Sequence, residues 1–492
     1  MPPVSAVGVP SSLSLRAARG VAWTGGGQIL RQLIQVGTSI ALVRLLSPDD
    51  FGLIGMAMFF VGLGQLLADF GVGSAILQSR TEDRVVLSSC FWLNVLVAGT
   101  LAALVLVCAP LIGRFYQRTD LAPVVAALSL NLLLSGLAVV PSALLSRDMR
   151  FSVIARAQVA GSLAGAVAAI TLAWQGFGVW SLVAQPLCGA ATSLAIFVVA
   201  QRWVPTFEFS WPKVAPLARF SAALLGTNLV GYANRNTDSL LVGRVLGAAA
   251  LGFYAMAIQL MLYPLQQVSS VIVRVLIPTL VQIQDDLPRL RAAYLRAVGA
   301  IALVTFPIMG GLFALADDFV LVVFGASWAP MAPLLKVLAW VGMLQSVGTT
   351  VGTIYLATGT MGIALRVTLI GAPVLIGGMA AGLPWGIQGV AVGYAVATFS
   401  LFYYTAITAF RVIDLRLADF HAALLRPLAS TFAMLAGLYA LGLLTVGSPP
   451  ATRLGAGVLG GALMYLAVSA CINRAQLLEI GEVLRSLRHR AR

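Results

Sequence analysis

Residues 43–57 read VRLLSPDDFGLIGMA, and residues 243–257, at an offset of 200, read GRVLGAAALGFYAMA. Arg44/Arg244, Leu46/Leu246, Gly52/Gly252, Met56/Met256 and Ala57/Ala257 coincide without a gap. A second match sets LAWQGFGV at 172–179 against LPWGIQGV at 383–390, keeping Leu172/Leu383, Trp174/Trp385, Gly178/Gly389 and Val179/Val390 at an offset of 211. The two matches bracket corresponding stretches of each half, so the chain reads as an internal duplication.

Apolar runs long enough to cross a bilayer as helices, about 20 residues each, fall at about 21–46, 51–78, 86–112, 121–146, 152–174, 177–201, 217–246 and 250–281. Six more follow at about 292–316, 331–357, 363–383, 387–411, 422–446 and 453–472. The first match ties spans 1–2 to 7–8, and the second ties the 5–6 turn to the 11–12 turn. Each repeat therefore holds six spans. Six is even, so both repeats enter the bilayer in the same direction, as parallel repeats related by an axis along the membrane normal. The expected organisation is a segment 1–20, an N-lobe 21–203, a cytoplasmic linker 204–216, a C-lobe 217–411, two extra helices within 422–472 and a tail 473–492.

Composition agrees. The 492 residues are 60% hydrophobic and only 10% charged, whereas soluble domains carry about 25% charged residues. The reading is an all-α polytopic membrane protein with about fourteen spans. A transmembrane β-barrel is excluded, because the runs are continuously apolar rather than alternating. The net charge of +14 comes from 31 Lys and Arg against 17 Asp and Glu, and its placement explains it. With the N-terminus inside, residues such as Arg84, Arg147, Arg150, Arg202 and Arg289 collect on the inner side. The outer side holds Arg44, Arg114, Arg118, Arg244 and Arg453. That bias places both termini in the cytoplasm and removes nucleic acid as a partner. Residues 1–20 lack the apolar core of a signal peptide, so the first span is expected to be uncleaved. The tail sets Leu477, Leu478, Leu484 and Leu487 among Arg485, Arg488 and Arg490, a basic amphipathic helix suited to lying on membrane lipid.

Catalytic and cofactor chemistry finds no purchase. Cys90, Cys108, Cys188 and Cys471 show no paired spacing, His421 and His489 lie on the inner side, and Gly25-Gly26-Gly27 lacks the Lys-Ser/Thr of a phosphate loop. No cofactor, no metal and no ATPase is expected, and the protein is not read as an enzyme. The informative residues are the polar ones within spans. Span 1 carries Gln28, Arg31, Gln32, Gln35 and Ser39 at helical spacing, and span 7 carries Asn228, Tyr232, Arg235 and Ser239 beside Asp238. With a rise of about 1.5 Å per residue, Arg31 and Arg235 both sit roughly 15 Å from a span end, near the midplane. Charges there are costly, which makes a substrate pathway the default reading. Arg274, seven residues from the inner end of span 8, is a further cationic candidate. Asp69 and Asp238 suit an ion-coupling relay, or pair with Arg31 and Arg235 respectively.

The stretch from Arg44 through Leu46-Ser47-Pro48-Asp49-Asp50-Phe51-Gly52, followed by Asp69-Phe70-Gly71-Val72-Gly73-Ser74-Ala75-Ile76-Leu77-Gln78, resembles the opening of polysaccharide transporters of the Wzx and colanic-acid-exporter type. These belong to the multidrug/oligosaccharidyl-lipid/polysaccharide exporter superfamily. The resemblance implies a V-shaped bundle of two six-helix lobes with two C-terminal helices. It also implies a flippase that carries undecaprenyl-pyrophosphate-linked oligosaccharide from the inner to the outer leaflet of the bacterial cytoplasmic membrane. Related flippases hold the pyrophosphate with cationic residues on helices 1, 2 and 8, and Arg31 and Arg274 match that pattern. Helix 2 departs from it with Asp69 and no interior Arg, so Arg235 of span 7 is expected to join the anion site. The expected substrate set is Arg31, Gln35, Arg235, Arg274, Gln28 and Asn228. A polysaccharide polymerase is a further expected partner, and a monomer the expected state. The alternatives are a multidrug or cation antiporter of the same fold, and a membrane glycosyltransferase or polymerase.

Overall fold

The computed structural model describes residues 11–68, 76, 83–212, 229, 231–232 and 236–474, without the side chains of 11–22 and 24. Asp69, Asn228, Arg235 and the tail from 475 onward lie outside the described residues. Within them the chain is helical and contains no β-strand. The helices are α1 (Ser11–Leu45), α2 (Pro48–Ala68), α3 (Arg84–Tyr116), α4 (Leu121–Arg147), α5 (Phe151–Trp174) and α6 (Val179–Gln201). Then come α7, described over 236–246, α8 (Ala248–Gln282), α9 (Leu287–Ala314), α10 (Met331–Ala357), α11 (Met361–Gly382), α12 (Gly386–Val412), α13 (Leu417–Leu444) and α14 (Pro450–Ile472). Eleven helical stretches among the described residues are long and apolar enough to cross a membrane, and the longest, Met361–Val412, contains both α11 and α12. Side chains such as Leu96, Val107 and Leu463 lie two-thirds or more exposed. In a helical bundle surrounded by hydrocarbon, that is the lipid-facing surface.

Local chemistry starts and stops these helices. α2 opens with a capping box: the Ser47 hydroxyl donates to Asp50 Oδ2 at 2.7 Å and accepts from the Asp50 amide at 3.3 Å, while the Ser47 amide donates to the same carboxylate. Pro48 at the first helical position loses no hydrogen bond there. Asp83 caps α3 by accepting from the Val85 amide at 2.9 Å, and Asp286 caps α9 by accepting from Arg289 N at 3.1 Å. Gly178 (φ 54) and Gly386 (φ 70) turn the chain into α6 and α12. The sequence match pairs Gly178 with Gly389, but the turn glycine of the second repeat is Gly386. A 3₁₀ turn at Leu383–Trp385 shifts the register, and Gly389 lies inside α12 against Gly382.

The chain divides into two compact units, Met1–Gly252 and Phe253–Arg492. In the first, α5 packs on α1 and α6, and α4 on α2, α3 and α6. Glycines let the α5 and α6 backbones touch: a β-carbon on Gly161 would lie 2.6 Å from the Gly189 carbonyl oxygen, and one on Gly165 would overlap that of Gln185. Small residues at such spacing are how helices associate where no hydrophobic effect separates protein from lipid. The second unit repeats the device, since a β-carbon on Gly378 would lie 2.7 Å from the Gly393 carbonyl oxygen and one on Gly393 would overlap that of Gly378. The same helix pair of each repeat therefore meets glycine to glycine.

The strongest trace of the duplication lies in the first unit, at the segments that first revealed it. A β-carbon on Gly52 would overlap the Ala248 carbonyl oxygen, and one on Gly252 would overlap that of Pro48. Pro48 and Ala248 stand at the same offset as the glycines. The contact is thus reciprocal, each repeated glycine meeting the carbonyl that stands at the matching position of the other repeat. In the second unit, the core gathers around Tyr294, Phe306, Val347, Phe410 and Phe420. α13 and α14 pack on α9 and on each other, with Tyr465 Oη of α14 donating to the Leu303 carbonyl of α9 at 2.7 Å and Asn473 Nδ2 at the end of α14 donating to Ser430 Oγ of α13 at 3.0 Å.

Candidate functional site

α1 has three sides. Gly27, Ile34, Thr38 and Leu42 recur at spacings of seven, four and four residues and form a seam, with Thr38 and Leu42 buried and a β-carbon on Gly27 placed 2.9 Å from Ala155 Cβ of α5. Ile29, Leu33 and Ile40 form an exposed apolar side. Gln28 and Gln35 are exposed on a third side, and Arg31 is half-buried between that side and the seam. The helical period forces this arrangement, because residues four apart share a face. The described residues bring Arg31, Gln28 and Gln35 to one flank of one helix. No carboxylate among them reaches Arg31.

In the second unit Arg274 is exposed on α8. It follows a π-helical turn, Leu265–Ser269, set just after Pro264. Proline removes a helical donor, and π turns inside helices recur at functional sites. Buried hydroxyls fix this turn: Ser269 Oγ donates to the Ser346 carbonyl of α10 at 3.1 Å, and Ser346 Oγ meets Thr305 Oγ1 of α9 at 2.8 Å. From within the turn onward Gln266, Ser270 and Arg274 form a row at four-residue spacing, with Ser270 Oγ donating to the Gln266 carbonyl and Arg274 Nε to the Ser270 carbonyl at 3.4 Å. Gln266 and Ser270 were not among the sequence candidates, although the spacing that exposed the α1 stripe marks this row as well. Another omission is Gln65 of α2, whose Nε2 donates to Ser135 Oγ of α4 at 2.9 Å.

Charges in the connections and near the helix ends are accounted for differently. Arg118 forms a two-pronged pair with Asp49, at 2.7 and 3.2 Å, and another with Asp120, at 2.8 and 3.0 Å. Those hydrogen bonds, Asp120 first, raise the Arg118 guanidinium, and the Arg118 hydrogen bond holds the Asp120 carboxyl below its ordinary range. Lys336 Nζ meets Asp317 at 2.6 Å, Arg453 Nε meets Asp318 at 3.1 Å, and Arg291 meets Asp414 at 2.8 Å. Asp238 Oδ1 accepts from the Ser239 amide at 2.7 Å. The contrast is chemical: these charges, in connections or near helix ends, neutralise one another, whereas Arg31 and Arg274, deeper in their helices, have no ion-pair partner among the described residues. An unpaired guanidinium in that setting offers a planar fork of donors to an anion with two oxygens, such as a phosphate. Among the described residues no group of three or more His, Cys, Asp or Glu is placed to hold a metal ion.

Comparison with known proteins gives the following. A family described as polysaccharide biosynthesis protein matches residues 41–333. The chain is 28% identical over 382 residues to the lipopolysaccharide biosynthesis protein WzxC of Escherichia coli (strain K12), covering 75% of this chain and 77% of that one. It is 27% identical over 465 residues to the teichuronic acid biosynthesis protein TuaB of Bacillus subtilis (strain 168), covering 92% and 95%. It is 32% identical over 298 residues to the succinoglycan biosynthesis transport protein ExoT of Rhizobium meliloti (strain 1021), covering 61% and 60%. Among solved structures, the lipid II flippase MurJ in an inward closed conformation superposes with a TM-score of 0.71 at 15% identity, covering 92% of this chain and 99% of that one. At that identity the likeness is one of fold.

Proposed function

The chain belongs to the family of polysaccharide biosynthesis proteins, and from that premise we propose that it is a flippase for polyprenyl-pyrophosphate-linked oligosaccharide. It moves the repeat unit from the inner to the outer leaflet of the bacterial cytoplasmic membrane, is not an enzyme, and acts as a monomer that delivers its product to a polymerase. The observation that carries the reading is Arg31, a half-buried guanidinium in the interior of α1, flanked by Gln28 and Gln35 and approached by no carboxylate among the described residues. Arg274 supplies the same chemistry on α8. Arg235 and Asn228 complete the proposed substrate set, and Asp69 and Asp238 are the proposed ion-coupling residues.

The physics favours an anionic cargo. A pyrophosphate in hydrocarbon forfeits its hydration, and guanidinium groups replace that hydration with charge-assisted hydrogen bonds. The glutamine amides supply donors and acceptors to a sugar. With the cell interior negative, carrying about two negative charges outward gains roughly 4.6 kcal/mol per 100 mV, so no nucleotide hydrolysis is required. An antiporter of organic cations would place acidic groups at the same depth instead. The test replaces Arg31. Arg31→Ala abolishes surface polysaccharide export while the protein still inserts, and Arg31→Lys restores part of it. Full export by Arg31→Ala removes Arg31 from the substrate site.

A further inference from the structure

The connection that leaves α6 is expected to be a cytoplasmic linker, yet its composition and placement suit another medium. From Trp203 the sequence reads WVPTFEFSWP, with aromatic residues at 203, 207, 209 and 211. The segment lies extended along the first turns of α3 and is fastened there side chain to backbone. Trp92 Nε1 donates to the Thr206 carbonyl at 2.8 Å, the Thr206 amide donates to Ser88 Oγ at 3.0 Å, and the Ser210 amide donates to Ser89 Oγ at 2.9 Å. Ser88 and Ser89 are buried, so these bonds are shielded from competing water. Trp203 meets Phe91 edge to face, while Phe207 stacks on Trp92 with ring centroids 5.4 Å apart.

Despite this fastening, Phe207 is 92% exposed, and Phe209 and Trp211 are half-exposed. In water a fixed array of bare aromatic rings would be a cost without return. In the boundary layer of a bilayer it is the preferred composition. Phe207 and Phe209 also wall a groove of about 760 Å³ whose floor is Val95, Leu96, Gly99 and Ala103 of α3. Ala103 lies about 16 Å beyond Trp92 along the helix axis, roughly the depth of one hydrocarbon leaflet. The groove thus runs from the interface inward, in one leaflet. Charge favours the inner leaflet and an anionic head group: Arg84 opens α3, the exposed Arg202 opens the segment, and Arg147 and Arg150 lie beside the end of α6, against the carboxylates Asp83, Asp148 and Glu208.

We propose that residues 203–212 are an interfacial strap of the inner leaflet that seats an anionic phospholipid, its acyl chain in the α3 groove and its phosphate toward Arg84 and Arg202. This goes beyond cargo transport, because the groove is lined by α3 and the strap and contains none of the proposed substrate residues. The strap joins the two sequence repeats, so its lipid fixes the end of the first repeat to the membrane surface.

The experiment places the photoreactive aromatic benzoylphenylalanine at position 207 in the full chain, irradiates native membranes and identifies adducts by mass spectrometry. Position 285, in the α8–α9 connection, serves as the aqueous control. The expected result is an adduct with an anionic phospholipid at 207, well above the yield at 285. Adducts at no more than the control level, with a polyprenyl phosphate alone, or with another protein would overturn the proposal. A second measurement needs no label. By native mass spectrometry from nanodiscs of phosphatidylcholine with phosphatidylglycerol, the intact chain retains phosphatidylglycerol and the Phe207→Ser, Phe209→Ser variant loses it. Equal retention by both also overturns the proposal.

Discussion

Arg31 and Arg118 carry the same group and do opposite things. Arg118 is held by two carboxylates, Asp49 and Asp120, in a connection where solvent screens the pair. Exposed pairs of this kind contribute about 0–1 kcal/mol. Because Asp120 titrates below its unfolded value, its contribution is complete above about pH 4 and is lost as pH falls through the depressed folded value. Arg118, raised, stays charged throughout. Thermal melts of Asp120→Asn against the parent should therefore show a small constant deficit from pH 6 to 8 that closes towards pH 3. A deficit that grows on acidification would contradict the pairing. Arg31 predicts a different signature: loss of export with little change in melting temperature, since its guanidinium ties nothing among the described residues together. The polar stripe that holds it was legible in sequence because one helix carries Gln28, Arg31 and Gln35 at helical spacing. The Arg118 triad was not, because Asp49 lies 69 residues away from it and no local pattern announces such a pair.

At the scale of elements, apolar run length located most helices to within a few residues, since a bilayer demands both length and continuity. α1 is the exception. Its helix begins at Ser11, ten residues before the expected span, because nothing in SSLSLRAARG breaks a helix where the apolar run ends. The π turn in α8 was invisible for a related reason: it changes which carbonyl each amide meets, not which residues are apolar. Contacts between repeated glycines were legible only as identities, and the structure gives them a cause. Gly52→Ala or Gly252→Ala forces a β-carbon into the backbone of Ala248 or Pro48, a clash of the kind that costs about 1–3 kcal/mol. The expected outcome is a lower melting temperature and reduced export for either variant. Gly25→Ala, which meets nothing within 4 Å, leaves both unchanged. Wild-type melting by both Gly52→Ala and Gly252→Ala would show that the contact opens freely.

At the scale of the whole molecule, composition alone declared a multi-span membrane protein, and the duplication declared two repeats of six helices. What the sequence withheld is the medium of its connections. The segment after α6 looks polar enough to be a linker until its aromatic residues are seen fastened along α3, facing outward. Function stands at this scale too, since a flippase is defined by where its cargo accumulates without it. The most direct measurement is to deplete the protein in its host and follow polyprenyl-pyrophosphate oligosaccharide by mass spectrometry of extracted lipids with leaflet-selective labelling. The account predicts accumulation on the inner leaflet, reversed by the parent chain and not by Arg31→Ala. Intact surface polysaccharide with no accumulation, in a host lacking a second flippase, would contradict it and favour an antiporter of the same fold.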